Sequence, residues 1–207
     1  MIRSLKTAAR ALWPSGYRYL GALKQRVTAP GWEYYFSAAD PSLLVPERCA
    51  VWLADNIPAR VDTILIIGCA PGRDFIPFQG KLKLRGFDLA PLDGVKWVCD
   101  ASGLDYRQMT AQEFTRSLNE DLSKTLVYTC GTLMQITADE QRKLYATLKA
   151  NGCRNFVFLE PPPNHFEFGV SEANRCFALP LSDFRAMPDF RNDGFVAFVS
   201  FTDTDTK

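Results

Sequence analysis

DTILIIGCAPGRDFIPFQGKLKLRGFD, residues 62 to 88, decides the fold of this chain of 207 residues. An aliphatic run at 63–67 ends at a tight turn that begins with Gly68, and a second apolar run at 82–87 ends at Asp88. A strand, a glycine-rich turn, a second strand and a carboxylate form the layout of a nucleotide-binding crevice. Asp88 follows Gly68 by 20 residues, close to the ~20 expected before a ribose-binding acid. The stretch therefore predicts a site for a cofactor that contains adenosine.

Composition limits the class of protein. The length suits one domain with a small appendage, and a hydrophobic share of 47% can build a core. The net charge of +1 gives no general attraction to nucleic acid. The 6 cysteines form no CxxC pair, and His165 is the only histidine, so no metal site is expected. Scattered cysteines favour free thiols in a reducing cytoplasm.

Residues 1–44 differ from the rest and are predicted to be a basic amphipathic arm with an aromatic cap. Six cations precede the first acid, Glu33, and apolar residues recur among them at helical spacing. Such an arm could pack on the body, act as a targeting peptide, or lie on an anionic membrane, where each cation contributes about 1 kcal/mol. The third reading predicts peripheral binding at the inner face of a membrane.

Residues 45–207 read as alternating strands and helices. Strands are expected at 63–67, 82–87, 95–99, 125–130, 155–160 and 195–201. Helices are expected at 47–56, for about two turns after Gly72, from the capping boxes at Thr110 and Thr137, and weakly at 181–190. This order predicts an α/β, Rossmann-like, doubly wound and mostly parallel sheet with helices on both faces. Ligands then bind along the carboxyl edge of the strands.

The spacing of the turn separates two kinds of cofactor. The dinucleotide pattern G-x-G-x-x-G would place its last glycine at Arg73, which is a poor fit. The pattern G-x-G-x-G fits Gly68, Ala70 and Gly72 better, although its middle position is alanine. No P-loop pattern occurs anywhere in the chain.

Residues 63–160 resemble class I S-adenosylmethionine-dependent methyltransferases. ILIIGCAPGRDF (64–75) is similar to their glycine motif, GFDLAP (86–91) to their second strand with its acid, WVCDAS (97–102) to the acid after their third strand, and VYTCGTLMQIT (127–137) to their fourth-strand segment. The resemblance implies that Asp88 binds the ribose hydroxyls and that Asp100 faces the adenine amino group. The implied cofactor-binding set is Gly68, Cys69, Ala70, Gly72, Asp88, Leu89, Asp100, Ala101 and Cys130.

Two narrower resemblances are weaker. The basic arm followed by WEYYF (32–36) looks like candidate methyltransferases of bacterial cell-surface polysaccharide pathways. GCAPG with DLAPLDGV is similar to ribosomal RNA 2′-O-methyltransferases, but Cys130 and Gly131 stand where those enzymes need an aspartate. A small-molecule or saccharide acceptor is therefore preferred to RNA.

Methyl transfer from a sulfonium mainly requires alignment, which can contribute about 7–11 kcal/mol. A hydroxyl acceptor also benefits from a general base, by about 10²–10⁴-fold. His165 and Glu160 are the candidate catalytic residues, because both stand at the end of the fifth predicted strand. Gln135 is a candidate on the acceptor side.

The predicted function is an S-adenosylmethionine-dependent methyltransferase acting on a small molecule or saccharide. Ile66 stands where the family usually has an acid that organises the amino-acid end of the cofactor. That departure keeps a second hypothesis open, a catalytically inactive module with the same fold that binds a ligand or a membrane. A third, an NAD(P)-linked oxidoreductase, rests on the crevice alone and is disfavoured by Arg73.

Overall fold

A computed structural model describes residues 45–96, 99–162, 177–187 and 195–201. The predicted arm at 1–44 and the candidate base His165 lie outside the described residues. Within those ranges, no helix is both long enough and apolar enough to cross a membrane.

The described chain forms one mixed sheet with the order β3-β2-β1-β4-β5-β7-β6. The first five strands are parallel, and β7 runs antiparallel to both β5 and β6. The strands are β1 Thr63–Ile67, β2 Lys83–Asp88, β3 Asp105–Gln108, β4 Thr125–Cys130, β5 Asn155–Glu160, β6 Arg185–Met187 and β7 Val196–Val199.

Helices cover both faces of the sheet, as predicted. Alternate residues of β1 face opposite ways: Ile64 and Ile66 join one apolar core, and Leu65 and Ile67 join the other. Helix α1 and a 3-10 helix cover the first face, while α2 and α3 cover the second. The helices are α1 Arg48–Asp55, the 3-10 helix Arg73–Phe78, α2 Ala111–Ser117 and α3 Ala138–Ala150.

Both predicted capping boxes are present. The Thr110 hydroxyl accepts a hydrogen bond from the backbone N–H of Glu113, whose carboxylate accepts one from Thr110 in return, and this closes the start of α2. Thr137 and Glu140 repeat the arrangement at the start of α3. Since each box satisfies backbone donors that have no partner within the helix, it fixes where the helix begins.

The prediction of a third strand at 95–99 is wrong. The strand that pairs with β2 is Asp105–Gln108, while Val95 ends a 3-10 turn. Val95 and Cys99 are apolar because both are buried against the glycine turn. The contact is close, since a Cβ added to Gly72 would lie 2.4 Å from the Val95 carbonyl oxygen. The true strand is a mostly exposed edge strand, so its sequence, DYRQ, carries no apolar signal.

The weak helix predicted at 181–190 is also wrong. A short 3-10 turn at Leu181–Asp183 leads into β6, Arg185–Met187, which pairs with β7 at the edge of the sheet. β6 is only three residues long and mostly exposed, so it is too short to show the apolar alternation of a half-buried strand.

Candidate functional site

A cavity of about 530 Å³ opens at the carboxyl edge of the sheet. The turn after β1, the end of β2, the start of α2 and the segment after β4 form its walls. Its size is in the range of small-ligand sites, about 300–1,000 Å³. It is lined by Ile67, Gly68, Ala70, Phe87, Asp88, Leu89, Met109, Thr110, Ala111, Gln112, Cys130, Gly131, Thr132, Gln135, Ile136 and Glu140.

Gly68 brings two walls of the cavity together. Its φ is +68°, a left-handed value that favours glycine. A Cβ at this position would lie 2.1 Å from the Thr132 Oγ1, and that hydroxyl donates to the Ile67 carbonyl oxygen at 3.0 Å. The absence of a side chain thus lets the β4 segment approach the β1 turn and leaves backbone, not side chain, facing the cavity.

Asp88 joins the glycine turn to the end of β2. Its Oδ2 accepts a hydrogen bond from the Ala70 N–H at 2.9 Å, and its Oδ1 accepts one from the Ala90 N–H at 3.0 Å. Each carboxylate oxygen can accept further hydrogen bonds, and Asp88 lines the cavity together with Leu89. The carboxylate is therefore held by backbone in an orientation from which it can accept hydrogen bonds from a diol.

The third wall comes from a segment that was not identified from the sequence. The resemblance placed Asp100 and Ala101 here, but neither is among the described residues that line the cavity. The Asp100 carboxylate instead caps an exposed turn by accepting from the Ser102 N–H at 2.8 Å. The cofactor contacts of Asp100 and Ala101 stay a prediction. The described residues at this wall are 109–112, which succeed the true third strand. In the sequence, the capping box that begins at Thr110 is the feature that could have pointed to this wall.

Two residues predicted for the site, Cys130 at the end of β4 and Gln135 after it, both line the cavity. Gly72 and Cys69, by contrast, are not among its described lining residues; Gly72 packs against Val95, and Cys69 is 5% exposed. Burial, followed by the charge of Asp88, raises the pKa of the Cys69 thiol well above its usual range, so it stays a neutral packing group.

Glu160 is buried behind the cavity and does not line it. Its side chain is fully inaccessible, and its Oε1 accepts from the Thr129 hydroxyl at 2.7 Å and from the backbone N–H groups of Thr132 and Leu133 at 2.9 and 3.0 Å. Its Oε2 accepts from the Met134 N–H at 3.3 Å. Burial raises its pKa to about 7 against these hydrogen bonds. This geometry makes Glu160 the anchor of the β4 segment, whereas a base would have to reach the acceptor.

Comparison with known proteins gives the fold. No protein-family model matches the chain, and none of the curated proteins matches it. Among solved structures, it is similar to the bifunctional kinase-methyltransferase WbdD, with a TM-score of 0.55, 14% identity and coverage of 79% of this chain and 42% of WbdD. A candidate O-methyltransferase of Nostoc punctiforme PCC 73102 gives a TM-score of 0.55 at 13% identity, covering 75% of this chain and 56% of that protein.

The chain spans about half the length of these solved structures. At 13% and 14% identity, the similarity shows that the backbone fold is shared. The described residues therefore share the Rossmann-like, mostly parallel α/β fold of these two methyltransferase structures.

Proposed function

We propose that this protein binds S-adenosylmethionine and transfers its methyl group to a small-molecule or saccharide acceptor. The observation that carries the proposal is the Asp88 carboxylate, which lines the cavity beside a glycine turn and is held by the Ala70 and Ala90 N–H groups. Ligands of open α/β sheets bind in such a crevice outside the carboxyl ends of the strands.

The residues present fit the adenosine part of this cofactor. Asp88 offers acceptor oxygens for the ribose hydroxyls, and Leu89, which is 55% exposed, offers an apolar surface beside them. Met109 and Ala111 supply apolar surface on the adjacent wall, and Thr110 lines the cavity between them. The bare backbone at Gly68 leaves room for the chain that leads from the ribose to the sulfur.

When bound, the cofactor supplies an electrophilic methyl group on a sulfonium. The protein's contribution is then to orient the acceptor in line with the methyl–sulfur bond, which can contribute about 7–11 kcal/mol. Cys130, Thr132 and Gln135, at the β4 end of the cavity, are the residues placed to contact an acceptor.

Two described cavity residues, Glu140 and Cys130, are poorly suited to remove a proton from the acceptor. Glu140 is committed to the capping box, where the Thr137 N–H is the main cause of its lowered pKa. Burial raises the pKa of the Cys130 thiol well above its usual range. His165 remains the predicted base for a hydroxyl acceptor, and an amine acceptor would need no base of that strength.

Calorimetry with S-adenosylmethionine and S-adenosylhomocysteine tests the proposal. Wild-type protein should bind both, and Asp88→Asn should weaken both by about 10- to 150-fold, the equivalent of the 1.5–3 kcal/mol of hydrogen bonds to a charged group. Asp93→Asn is the matched control, since Asp93 is exposed and pairs with Lys96 on the surface. Failure of the wild type to bind either compound at millimolar concentration would refute the proposal.

A catalytically inactive module is the second candidate. It is favoured by Ile66, which is 2% exposed inside an apolar core and offers no carboxylate to the cofactor. It predicts that the cofactor binds but that no methyl transfer occurs over a broad panel of alcohols, amines and saccharides. Transfer of a labelled methyl group to any member of the panel would exclude it.

A further inference from the structure

A cluster of mixed charge lies where α1 meets the 3-10 helix, outside the adenosine site. The Arg73 Nη2 donates to the Glu47 Oε1 at 2.6 Å, and the Arg73 Nε lies 3.6 Å from the Asp74 Oδ1. That same Asp74 oxygen accepts from the Glu47 backbone N–H at 2.9 Å. Two carboxylates thus fix the position and the plane of one guanidinium.

The cluster is more buried than an ordinary surface ion pair. The side chains of Arg73, Glu47 and Asp74 are 29%, 17% and 9% exposed. Tyr128 is fully buried beside them. Burial and then the Asp74 charge raise the pKa of Tyr128. Because buried charges cost free energy that apolar residues would not, stability alone does not explain the cluster.

The cluster adjoins the cavity through Cys130. The Arg73 Nη2 lies 3.8 Å from the Cys130 Sγ, and Cys130 lines the cavity at the end of β4. Cys130 ends β4 and Asp88 ends β2, and β1 lies between these two strands, so the two residues are two strand spacings, about 10 Å, apart. The guanidinium is therefore one side chain away from the end of the cavity opposite Leu89 and Met109.

The direction of the cofactor follows from these positions. With the ribose at Asp88 and the adenine toward Leu89 and Met109, the lining residues left for the amino-acid chain include Gly68 and Cys130. That chain ends in a carboxylate and an ammonium group. A guanidinium offers a planar pair of donors that matches a carboxylate, and the neighbouring Glu47 and Asp74 carboxylates suit an ammonium group.

We propose that Arg73, oriented by Glu47 and Asp74, binds the α-carboxylate of the cofactor's amino-acid end, so that the cluster is the subsite for this zwitterionic group. This rests on the proposed function. Arg73 is not itself among the residues that line the cavity and would reach the ligand past Cys130, while Glu47 and Asp74 position it.

Three ligands separate the parts of the subsite. S-adenosylhomocysteine carries the whole amino-acid end, its decarboxylated analogue keeps only the amine, and 5′-methylthioadenosine lacks both groups. Wild-type protein should bind S-adenosylhomocysteine at least about tenfold more tightly than the decarboxylated analogue, as expected for hydrogen bonds to a charged group. Equal affinity of the wild type for these two ligands would overturn the inference while leaving the proposed function in place.

Arg73→Met removes the guanidinium and keeps most of the stem. It should weaken S-adenosylhomocysteine by about 10- to 150-fold and leave the affinity for 5′-methylthioadenosine, which carries neither charged group, unchanged. The decarboxylated analogue should bind no more weakly, because its ammonium group meets Glu47 and Asp74 without a competing guanidinium. Arg142→Met, which breaks a surface pair with Asp139, is the matched control and should change none of them. Equal weakening of all three ligands by Arg73→Met would show a structural role and overturn the inference.

Arg73→Lys provides the test if the methionine variant does not fold. Lysine keeps the charge but not the paired donors, so the preference for S-adenosylhomocysteine over its decarboxylated analogue should fall but not vanish. An unchanged preference would count against recognition by the guanidinium. If the wild type binds none of the three ligands, the proposed function fails and this inference fails with it.

Discussion

Replacing Glu160 distinguishes a structural anchor from a catalytic base. Four donors converge on its carboxylate, and three of them are the backbone N–H groups of consecutive residues, 132–134. The fourth, the Thr129 hydroxyl, is fully buried. Glu160→Ala removes every acceptor and leaves these donors without a partner.

The expected cost of Glu160→Ala is large. Each buried unsatisfied donor costs about 1–3 kcal/mol. The Leu133 N–H is buried and those of Thr132 and Met134 are partly buried, so the three backbone donors together amount to about 3 kcal/mol, even if the hydroxyl turns to another acceptor. For a chain of this length that loss lowers Tm by about 6–12 °C. Because the freed segment also lines the cavity, cofactor affinity should fall with stability.

Glu160→Gln imitates the protonated carboxyl group. Its amide oxygen can keep the three donors on Oε1, and only the long contact of Met134 with Oε2 is lost. In the wild type, burial raises the pKa from 4.5 to about 7. The folded state then binds more protons than the unfolded state between these values, so stability falls as pH rises through this window. At about 1.4 kcal/mol per pH unit the loss reaches about 3 kcal/mol, and the glutamine variant does not share it.

Urea unfolding at about pH 5 and about pH 8 measures this linkage. The stability of Glu160→Gln relative to wild type should rise by about 3 kcal/mol between the two conditions. Glu120→Gln is the control, since Glu120 pairs with Arg85 near the surface, and its effect should stay below about 1 kcal/mol. The reasoning is refuted if Glu160→Ala unfolds like the wild type and loses only methyl transfer, the behaviour of a catalytic base.

Three further perturbations test the sequence-to-structure argument. Gly68→Ala should lower the free energy of unfolding in urea by more than the about 1–3 kcal/mol of left-handed strain, because a Cβ would also clash with Thr132. Gly80 has φ +73° and open space around it, so Gly80→Ala should cost only the strain. Equal costs for the two variants would contradict the close approach of Thr132 to Gly68. Thr137→Ala should lower the free energy of unfolding by about 0.5–2 kcal/mol through loss of the capping box, and an unchanged value would show that the box is dispensable. Deletion of residues 1–24 should reduce binding to anionic vesicles and leave S-adenosylhomocysteine affinity intact; undiminished vesicle binding would remove the membrane hypothesis.

The parts of the fold that could be predicted are those with a local physical signal. β1 is buried along its whole length, so it appears as a continuous aliphatic run. Thr110 and Thr137 mark helix starts because their capping partners stand only three residues away. Asp88 could be placed because the turn and the acid belong to one strand–turn–strand unit.

The parts that failed depend on contacts between distant residues. Val95 and Cys99 have the composition of a strand, yet they are buried because they pack on Gly72. The pairing of Arg73 with Glu47 spans 26 residues, and no periodicity or motif announces it. Glu160 stands at the predicted end of β5, but only the fold shows that its carboxylate turns inward to the segment after β4.

The charged cluster of Arg73, Glu47 and Asp74 suggests a structural reason for the isoleucine at position 66. From the sequence it counts against activity, because an acid is expected there. In the fold, Ile66 pairs in register with Tyr128, and both belong to the same apolar core beneath Asp74. A carboxylate at position 66 would add a second buried negative charge to the layer that already holds Asp74, and like charges in a dry site repel. With Glu47 just before α1 and Asp74 in the 3-10 helix, the apolar side chain of Ile66 avoids a second buried negative charge on this face of the sheet.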